Sequence, residues 1–402
     1  MDNINILNEA KSMENELLEM RRYLHKNAET EFELPKTVEY VKAKLTEYGC
    51  EFSDCGKNGV VCLIGKKDSD KCFLLRADMD ALPVREESKL EFACENGNMH
   101  ACGHDMHTAM LLGAAKLLKS HEKELQGQVK LMFQPAEETL SGAKNMIDNG
   151  VLSDPEPQGA LMVHVMAGLP LKTGTIIVSS GGVGAPAADY FTINIQGKGC
   201  HGSTPQQGID ALTIASRILL GLQEISAREL GVSDEALLTI GSFHGGTAGN
   251  VIADTAVLQG TMRAYDDKIR EHMKKRISEI SECIGSAYKG KVCVSFGSGC
   301  PTLKNDEDLS VKVEGYLAEF FENDMVVNTE KIGARSSRSG GSEDFSYISH
   351  QVPSLMLALA AGEPENGFHY PQHHPKVMFD ESVLPIGTAA LTFAAIKYLQ
   401  CN

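Results

Sequence analysis

The chain has 402 residues, 42% of them hydrophobic and 23% charged, the proportions of an ordinary globular protein, which excludes global disorder and fibrous architecture. Tryptophan is absent, aromatic residues make up 6%, and 38 Lys and Arg stand against 54 Asp and Glu, a formal charge of −16. Aromatic platforms for sugars or single strands and surfaces for phosphate backbones or anionic membranes are therefore disfavoured. At roughly 100–200 residues per domain, two or three domains are expected, or one large domain with an insertion.

The chain opens on an amphipathic helix, with Ile6, Ala10, Met13, Leu17, Met20 and Leu24 on one face. A second helix follows Pro35, carries Val38, Val41, Leu45 and Tyr48, and stops at Gly49. Strands are then expected at Val60–Ile64, Cys72–Leu75, Val129–Phe133 and Ala160–Val165, with helices at Asp105–Leu125 and Gly142–Ile147 between them. The strands are short and apolar without alternation, as in a sheet covered on both faces. This is an α/β architecture with helical layers around a central sheet. The texture changes near residue 186. Tyr190–Gln196 alternates as a half-buried strand. A helix bearing Leu212, Ala215, Leu219, Leu222 and Ile225 follows, then strands near Leu237–Phe243 and Thr255–Ala264, a helix over Asp266–Ala287 and a strand at Lys291–Phe296. The order β-α-β-β-α-β is that of a ferredoxin-like α+β unit with an open sheet edge. After residue 300 the first texture resumes and ends in an Ala-rich helix near Ser382–Leu399. The expected organisation is a discontinuous domain of residues 1–185 and 299–402, carrying an inserted domain at 186–298. The first residues show neither the cationic nor the apolar segment of a secretory signal. No window approaches the roughly 18 apolar residues of a membrane helix, Leu355–Ala361 being the longest candidate. Eleven cysteines, an odd number, are scattered from Cys50 to Cys401; free thiols in a reducing cytoplasm are expected.

Chemistry concentrates at strand ends. The strand at Leu75 runs into Asp78 and Asp80. Directly before a helix, the eight residues His100–His107 hold three His, one Cys and one Asp, a density typical of metal sites. Glu137 and Glu138 follow the strand ending at Phe133, so that one can hold a metal while the other handles protons. His164 lies inside an apolar strand, and His369, His373 and His374 cluster near the C-terminus. Each alone has a plainer reading: turn chemistry for Asp78 and Asp80, a helix cap at Asp105, a solvated loop at Glu137 and Glu138, a hydrogen-bonded core residue at His164. Together they supply thiolate, imidazole and carboxylate at the strand ends of one sheet. Such a mixed set suits zinc or manganese better than calcium or magnesium, and it exceeds the three or four ligands of one zinc, which points to two divalent ions.

The segments RADMDALP, HACGHDMH, FQPAEE, VHV, GKGCHGSTPQQGIDA, GGTAGNVIAD, GTMRAY, GSEDF and HHPKVMFDE resemble the M20 metallopeptidase family, in particular its amidohydrolase branch of aminoacylases, hippurate hydrolases and auxin–amino-acid conjugate hydrolases. The resemblance runs across nearly the whole chain. It implies a zinc-peptidase-like α/β catalytic domain with an inserted ferredoxin-like lid, which in relatives is often a homodimer surface. It implies metal ligands at Cys102, His104, Glu138, His164 and His373, with His374 the alternative to the last. Glu137 would be the general base and Asp80 the carboxylate that orients a ligand imidazole, with Asp105 in a similar supporting place. His201 would polarise the scissile carbonyl, and Asn250 and Arg263 would hold the substrate carboxylate, for which a planar Arg fork is suited. Asp78 falls where other branches carry their first His ligand, and Cys102 supplies a ligand instead. The implied reaction is hydrolysis of N-acyl-L-amino acids by a metal-activated water. A dipeptidase, an N-acetyl-diaminopimelate deacetylase and, more remotely, a non-catalytic metal-binding scaffold are the alternatives. No GxGxxG motif follows a first strand, so a nicotinamide enzyme is not expected.

Overall fold

The computed structural model describes residues 6–67, 69–322, 324–330 and 340–401. In chain order its helices are α1 (Ile6–Ser12), α2 (Glu14–Lys26), α3 (Pro35–Glu47), α4 (His104–Ser120), α5 (Gly142–Asp148), α6 (Ala211–Glu224), α7 (Asp267–Ala287), α8 (Glu307–Phe320), α9 (Ser346–Ser349) and α10 (Leu384–Cys401). The strands are β1 (Glu51–Cys55), β2 (Gly59–Gly65), β3 (Cys72–Asp78), β4 (Gln128–Gln134), β5 (Gly159–Met166), β6 (Ile176–Val178), β7 (Gly182–Ala185), β8 (Ala187–Gln196), β9 (Cys200–His201), β10 (Ala236–Gly245), β11 (Val251–Ile252), β12 (Thr255–Ala264), β13 (Lys291–Cys300), β14 (Leu303–Asn305), β15 (Val326–Asn328) and β16 (Ser354–Ala360). The chain divides into two compact units. One takes in Met1–Gly184, Lys304–Arg338 and Asp344–Asn402; the other takes in Ala185–Leu303 and Ser339–Glu343.

The first unit is built on an eight-stranded sheet in the order β1-β2-β4-β3-β5-β16-β6-β15. Its centre, β4-β3-β5-β16, is parallel; β1, β2 and β6 join antiparallel. Every residue of β3 and β4 is buried, which is why their sequences read as apolar runs rather than as alternation. Four central strands pointing the same way bring their C-terminal ends, and the loops that leave them, to one edge. That edge is where ligands bind in open α/β sheets. Helix α4 is buried on nearly every side. Gly113 lets its neighbours come close: a Cβ there would lie 2.7 Å from Leu17 Cδ2 and 2.9 Å from Thr388 Cγ2, contacts that only glycine avoids.

Two expected helices differ at their ends. The N-terminal helix is interrupted at Met13, although Ile6, Ala10, Met13, Leu17, Met20 and Leu24 are all buried as the periodicity requires. The Met13 N–H turns back onto the Ala10 carbonyl before the helix resumes. The helix expected to reach Leu125 stops at Ser120, whose hydroxyl donates to the Leu117 carbonyl at 2.7 Å and competes with the next helical turn. A separate 3-10 turn covers Glu122–Glu124. The Ala-rich helix expected near Ser382–Leu399 lies in a segment, Glu381–Cys401, that is long and apolar enough to cross a membrane by composition, against the expectation that no window comes close. It is buried instead: it packs in the main core with α4 and α8, and a helix apolar all round is a core helix when covered.

The second unit is a four-stranded antiparallel sheet, β10-β12-β8-β13. With α6 after β8 and α7 after β12, this is the ferredoxin-like arrangement. Phe191, Ile193 and Ile195 of β8 pack with Ile214, Ile218 and Leu222 of α6 and Met273 and Ile277 of α7. Both helices start on aspartates: the Asp210 side chain accepts from Leu212 N–H, and Asp266 accepts from Lys268 and Ile269 N–H.

Candidate metal centre

Strand β3 ends on Asp78, with Asp80 two residues beyond, and both carboxylates are engaged. Asp78 Oδ1 pairs with His107 Nδ1 at 2.6 Å, and its Oδ2 accepts from Arg76 Nη1 at 2.6 Å. His107 Nε2 accepts the Val165 N–H at 2.9 Å, so its Nδ1 carries the proton. With both nitrogens used, His107 ties β3 and α4 to β5. Asp80 accepts the Glu137 N–H on Oδ1 at 2.9 Å and the Glu138 N–H on Oδ2 at 3.2 Å. His104 is held by the Asp80 main-chain carbonyl, 2.8 Å from Nδ1, while the carboxylate stands 3.6 Å away. The resemblance implies that the Asp80 carboxylate orients a ligand imidazole; toward His104 the Asp80 carbonyl is the nearer group, and the carboxylate also clamps the loop that carries the two glutamates.

The loop before α4 aims Cys102 and His104. Gly103 between them has φ +88°, and a Cβ there would meet Val165 Cγ2 at 2.3 Å, so the turn needs glycine. Glu137 and Glu138 lie in a tight loop between β4 and α5. Ala136 (φ +54°) and Leu140 (φ +53°) bracket them in left-handed backbone, and His373 itself sits at φ +66°. Non-glycine residues rarely adopt this region, and such strain gathers at functional sites. His164, near the end of β5, has Nδ1 2.8 Å from the Val165 carbonyl and Nε2 3.6 Å from Cys102 Sγ.

These side chains form one connected donor cluster. Cys102, His104 and His164 each offer an atom within 4.8 Å of the others, as do Cys102, Glu138 and His373, and His104, Glu137 and Glu138. His373 Nε2 is 3.6 Å from Glu138 Oε2. The neighbouring His374 is engaged elsewhere: its Nδ1 accepts the Lys376 N–H and its ring stacks on Tyr370, centroids 4.3 Å apart. Asp105, next to His104, faces away from the donors, with Oδ2 2.8 Å from both Arg21 Nε and His25 Nδ1 of α2.

The donor set fits a transition metal. His104 and His164 each place Nδ1 against a carbonyl, the tautomer that turns the Nε2 lone pair toward the cluster. His104 Nε2 is buried with no hydrogen-bond partner. Burial pushes the His104 imidazole down, yet Asp78, Asp80 and Cys102 outweigh it and raise its pKa well above the ordinary value. The same negative field that attracts a proton attracts a cation. Burial, together with Glu138, pushes the Cys102 thiol up to about 12, so thiolate ligation requires a metal to displace the proton. Burial lowers His164 to about 3, leaving it neutral and able to ligate.

His201, Asn250 and Arg263 belong to the second unit. His201 on β9 pairs with Val251 on β11. Its Nδ1 meets Ser203 Oγ at 2.7 Å, and the next residue's N–H, that of Gly202, donates to the Asn250 carbonyl at 2.7 Å, so the segments that carry His201 and Asn250 adjoin. Arg263 on β12 donates to Thr261 Oγ1 and to the Met262 carbonyl, with its guanidinium 5.4 Å from the centre of the Tyr190 ring.

The residues sequence reasoning missed are ties behind the donors, Arg76, Gln134 and Asp344; His107 was singled out within the His100–His107 cluster but given no role of its own. Arg76 and Gln134 sit inside strands where an apolar residue is the usual occupant, and that misfit was the available signal.

The description of peptidase family M20/M25/M40 matches residues 74–397. An N-acetyl-L-cysteine deacetylase of Bacillus subtilis (strain 168) is 34% identical over 397 residues, covering 97% of this chain and 90% of the relative. The IAA-amino acid hydrolase ILR1-like 2 of Arabidopsis thaliana is 33% identical, covering 96% and 85%. A solved Bacillus subtilis structure, described as a dinuclear metal-binding peptidase from the M20 family, superposes with a TM-score of 0.77 at 29% identity and covers 98% of this chain and all of that one. A match over most of the chain, at this identity and with this fold, leaves one assignment: the chain belongs to peptidase family M20/M25/M40 and is an amide-bond hydrolase of that family.

Proposed function

We propose that the protein removes the acyl group from N-acyl-L-amino acids, with two divalent ions, zinc or manganese, held by Cys102, His104, Glu138, His164 and His373. The observation that carries this reading is the convergence of thiol, imidazole and carboxylate donors at the C-terminal ends of parallel strands, with Glu137 among them and 6% exposed. The engagement of His374 by Lys376 and Tyr370 favours His373 as the fifth ligand. When bound, such ions acidify a water and polarise a carbonyl. Glu137 takes the proton of the attacking water and returns it to the leaving amine. Asp80 fixes the main chain of Glu137 and Glu138 so that neither has to reorganise during turnover. In the second unit His201 would polarise the scissile carbonyl, and Asn250 and Arg263 would receive the free carboxylate of the substrate. The names of the Bacillus and Arabidopsis relatives both describe the splitting of an amino-acid conjugate, which supports this substrate class. Dipeptide hydrolysis is the second reading, favoured by the peptidase description of the dinuclear relative. We place the enzyme in the cytoplasm as a homodimer formed through the second unit, whose edge strand β10 exposes Leu237 and Phe243.

The test is metal content by mass spectrometry on protein purified without chelator, with amine release measured on a panel of N-acyl amino acids and dipeptides. About two ions per chain and release from the N-acyl panel are expected. Glu137→Gln should lower kcat by at least about a thousandfold while the metal stays bound. Near-normal turnover in that variant would remove Glu137 from the role. Release confined to dipeptides would replace the acylase reading with the peptidase one.

A further inference from the structure

Arg76 lies in the middle of a buried strand with no exposed surface. A guanidinium persists in such a place only where acceptors surround it. Its Nη1 donates to Asp78 Oδ2 at 2.6 Å, its Nε to Gln134 Oε1 at 2.9 Å and its Nη2 to Asp344 Oδ1 at 2.9 Å. Gln134 Nε2 donates to the same Asp344 oxygen at 2.7 Å, and the Ala143 N–H at the start of α5 donates to Asp344 Oδ2 at 2.9 Å. The Asp344 carboxylate is thus gripped from β3, β4 and α5, which fixes the main chain behind it. From that main chain the Asp344 N–H donates to Glu137 Oε1 at 3.4 Å.

We propose that Arg76 and Asp344 are a positioning pair for Glu137. The ion pair fixes the Asp344 main chain, and its N–H holds one carboxylate oxygen of Glu137, which sets the direction in which the other meets the attacking water. Asp80 secures the same residue from the opposite side through the Glu137 N–H, so backbone and side chain are located independently. A purely structural role would need only charge balance around Arg76, which Asp78 already supplies. It would not need an aspartate held by three donors on three elements with its own N–H turned to the base. This inference rests on Glu137 acting as the general base.

A double-mutant cycle tests it on the full chain loaded with metal and assayed on one N-acyl amino acid. Asp344→Asn keeps the shape but sets an amide against the Ala143 N–H. It should lower kcat about 10- to 100-fold, with KM and metal per chain within about twofold of the parent. Because the pair acts through Glu137, adding Asp344→Asn to Glu137→Gln should lower the residual rate less than about twofold. Arg76→Lys keeps the charge and loses the fork; it should show a smaller loss of the same kind, and it carries the same cycle if Asp344→Asn does not fold. Loss of metal, a rise in KM with kcat unchanged, or effects that multiply fully with Glu137→Gln would assign the pair to folding and overturn the proposal. Near-parent turnover of Glu137→Gln alone is a distinct result: it removes the general-base reading and the positioning role together.

Discussion

Gly103 stands between two of the proposed ligands, in a backbone conformation that an L side chain resists, with Val165 Cγ2 where its Cβ would go. The two penalties arise in the same turn. A left-handed non-glycine residue costs on the order of 1–3 kcal/mol, and forced overpacking costs a similar amount. Gly103→Ala is therefore expected to lower unfolding stability by about 3 kcal/mol and to reduce metal occupancy, because any relaxation moves Cys102 and His104 apart. Urea unfolding and metal analysis of the variant check this; parental values in both would show that the turn tolerates a Cβ. At this scale the donor region was legible in part: Cys102 and His104 stand in a dense His, Cys and Asp segment directly before a helix, Glu137 and Glu138 follow an apolar strand, and His164 interrupts one, while the resemblance singled out His373. Asp344 was not legible in that way. It belongs to a quoted motif, but its partners Arg76, Gln134 and Ala143 lie about 200 residues or more away along the chain, and one sequence carries no sign of such a pairing. The choice between His373 and His374 was open for the same reason, since it turns on Lys376 and Tyr370 rather than on the histidines.

Helices α2 and α4 meet through buried charge as well as through Leu17 and Gly113. Arg21 and His25 of α2 both reach Asp105 of α4, and His25 Nε2 also lies 3.0 Å from Glu86 Oε1. His100 is the other titratable ring beside His25, centroids 6.2 Å apart. Burial and the Arg21 charge push His25 down, but Asp105 and Glu86 outweigh them and hold its pKa above the ordinary 6.5. A group raised in this way adds stability that is fully present below pH 6.5 and is lost as pH rises through its folded value. Burial likewise opposes the Asp105 charge, yet Arg21 and His25 outweigh it and depress its pKa. Its share is present above the ordinary 3.8 and is lost as pH falls. Both contributions operate between about pH 4 and 6.5. His25→Gln should therefore lie furthest below the parent in stability near pH 6, and the gap should narrow as pH rises toward 9. A gap independent of pH, measured by denaturant unfolding, would remove His25 from this role. Elements with a strong period, such as α2, α6, α7 and β12, were readable from the sequence. Strand β1 was missed because four of its five residues are exposed and three of those, Glu51, Ser53 and Asp54, are polar, and β6 and β15 because three residues are too few for any pattern. Helix α8 did carry a signal: the Asp306 side chain accepts the Leu309 N–H at its start, and Leu309, Val313 and Leu317 are buried on one face.

Among the described residues the buried apolar side chains gather into two main cores that do not share members. One is formed by the α/β unit, around α4, α10 and the central sheet; the other lies between α6, α7 and the four-stranded sheet. Cooperative unfolding follows the core, so two cores allow two transitions. The proposed metal ligands all belong to the α/β unit. A ligand that binds only the folded state stabilises by RT ln(1 + [L]/Kd), about 2.7 kcal/mol at a hundredfold excess over Kd. In a unit of this size each kcal/mol moves the melting temperature by roughly 2–4 °C. Chelation is therefore expected to lower one calorimetric transition by about 5–10 °C and to leave the other where it was. Cys102→Ser in the presence of metal should reproduce part of that shift in the same transition, since a hydroxyl is a poorer soft-metal ligand than a thiolate. The transition that does not move should retain its midpoint in Asp210→Ala protein treated with chelator, displaced only by the lost helix cap, about 1 kcal/mol. That variant separates the two units from the opposite side: the cap mutation touches α6 alone, and chelation touches the donor cluster alone. If both perturbations moved a single transition together, the two cores would be one folding unit, and metal binding would stabilise the whole chain rather than the unit that holds it.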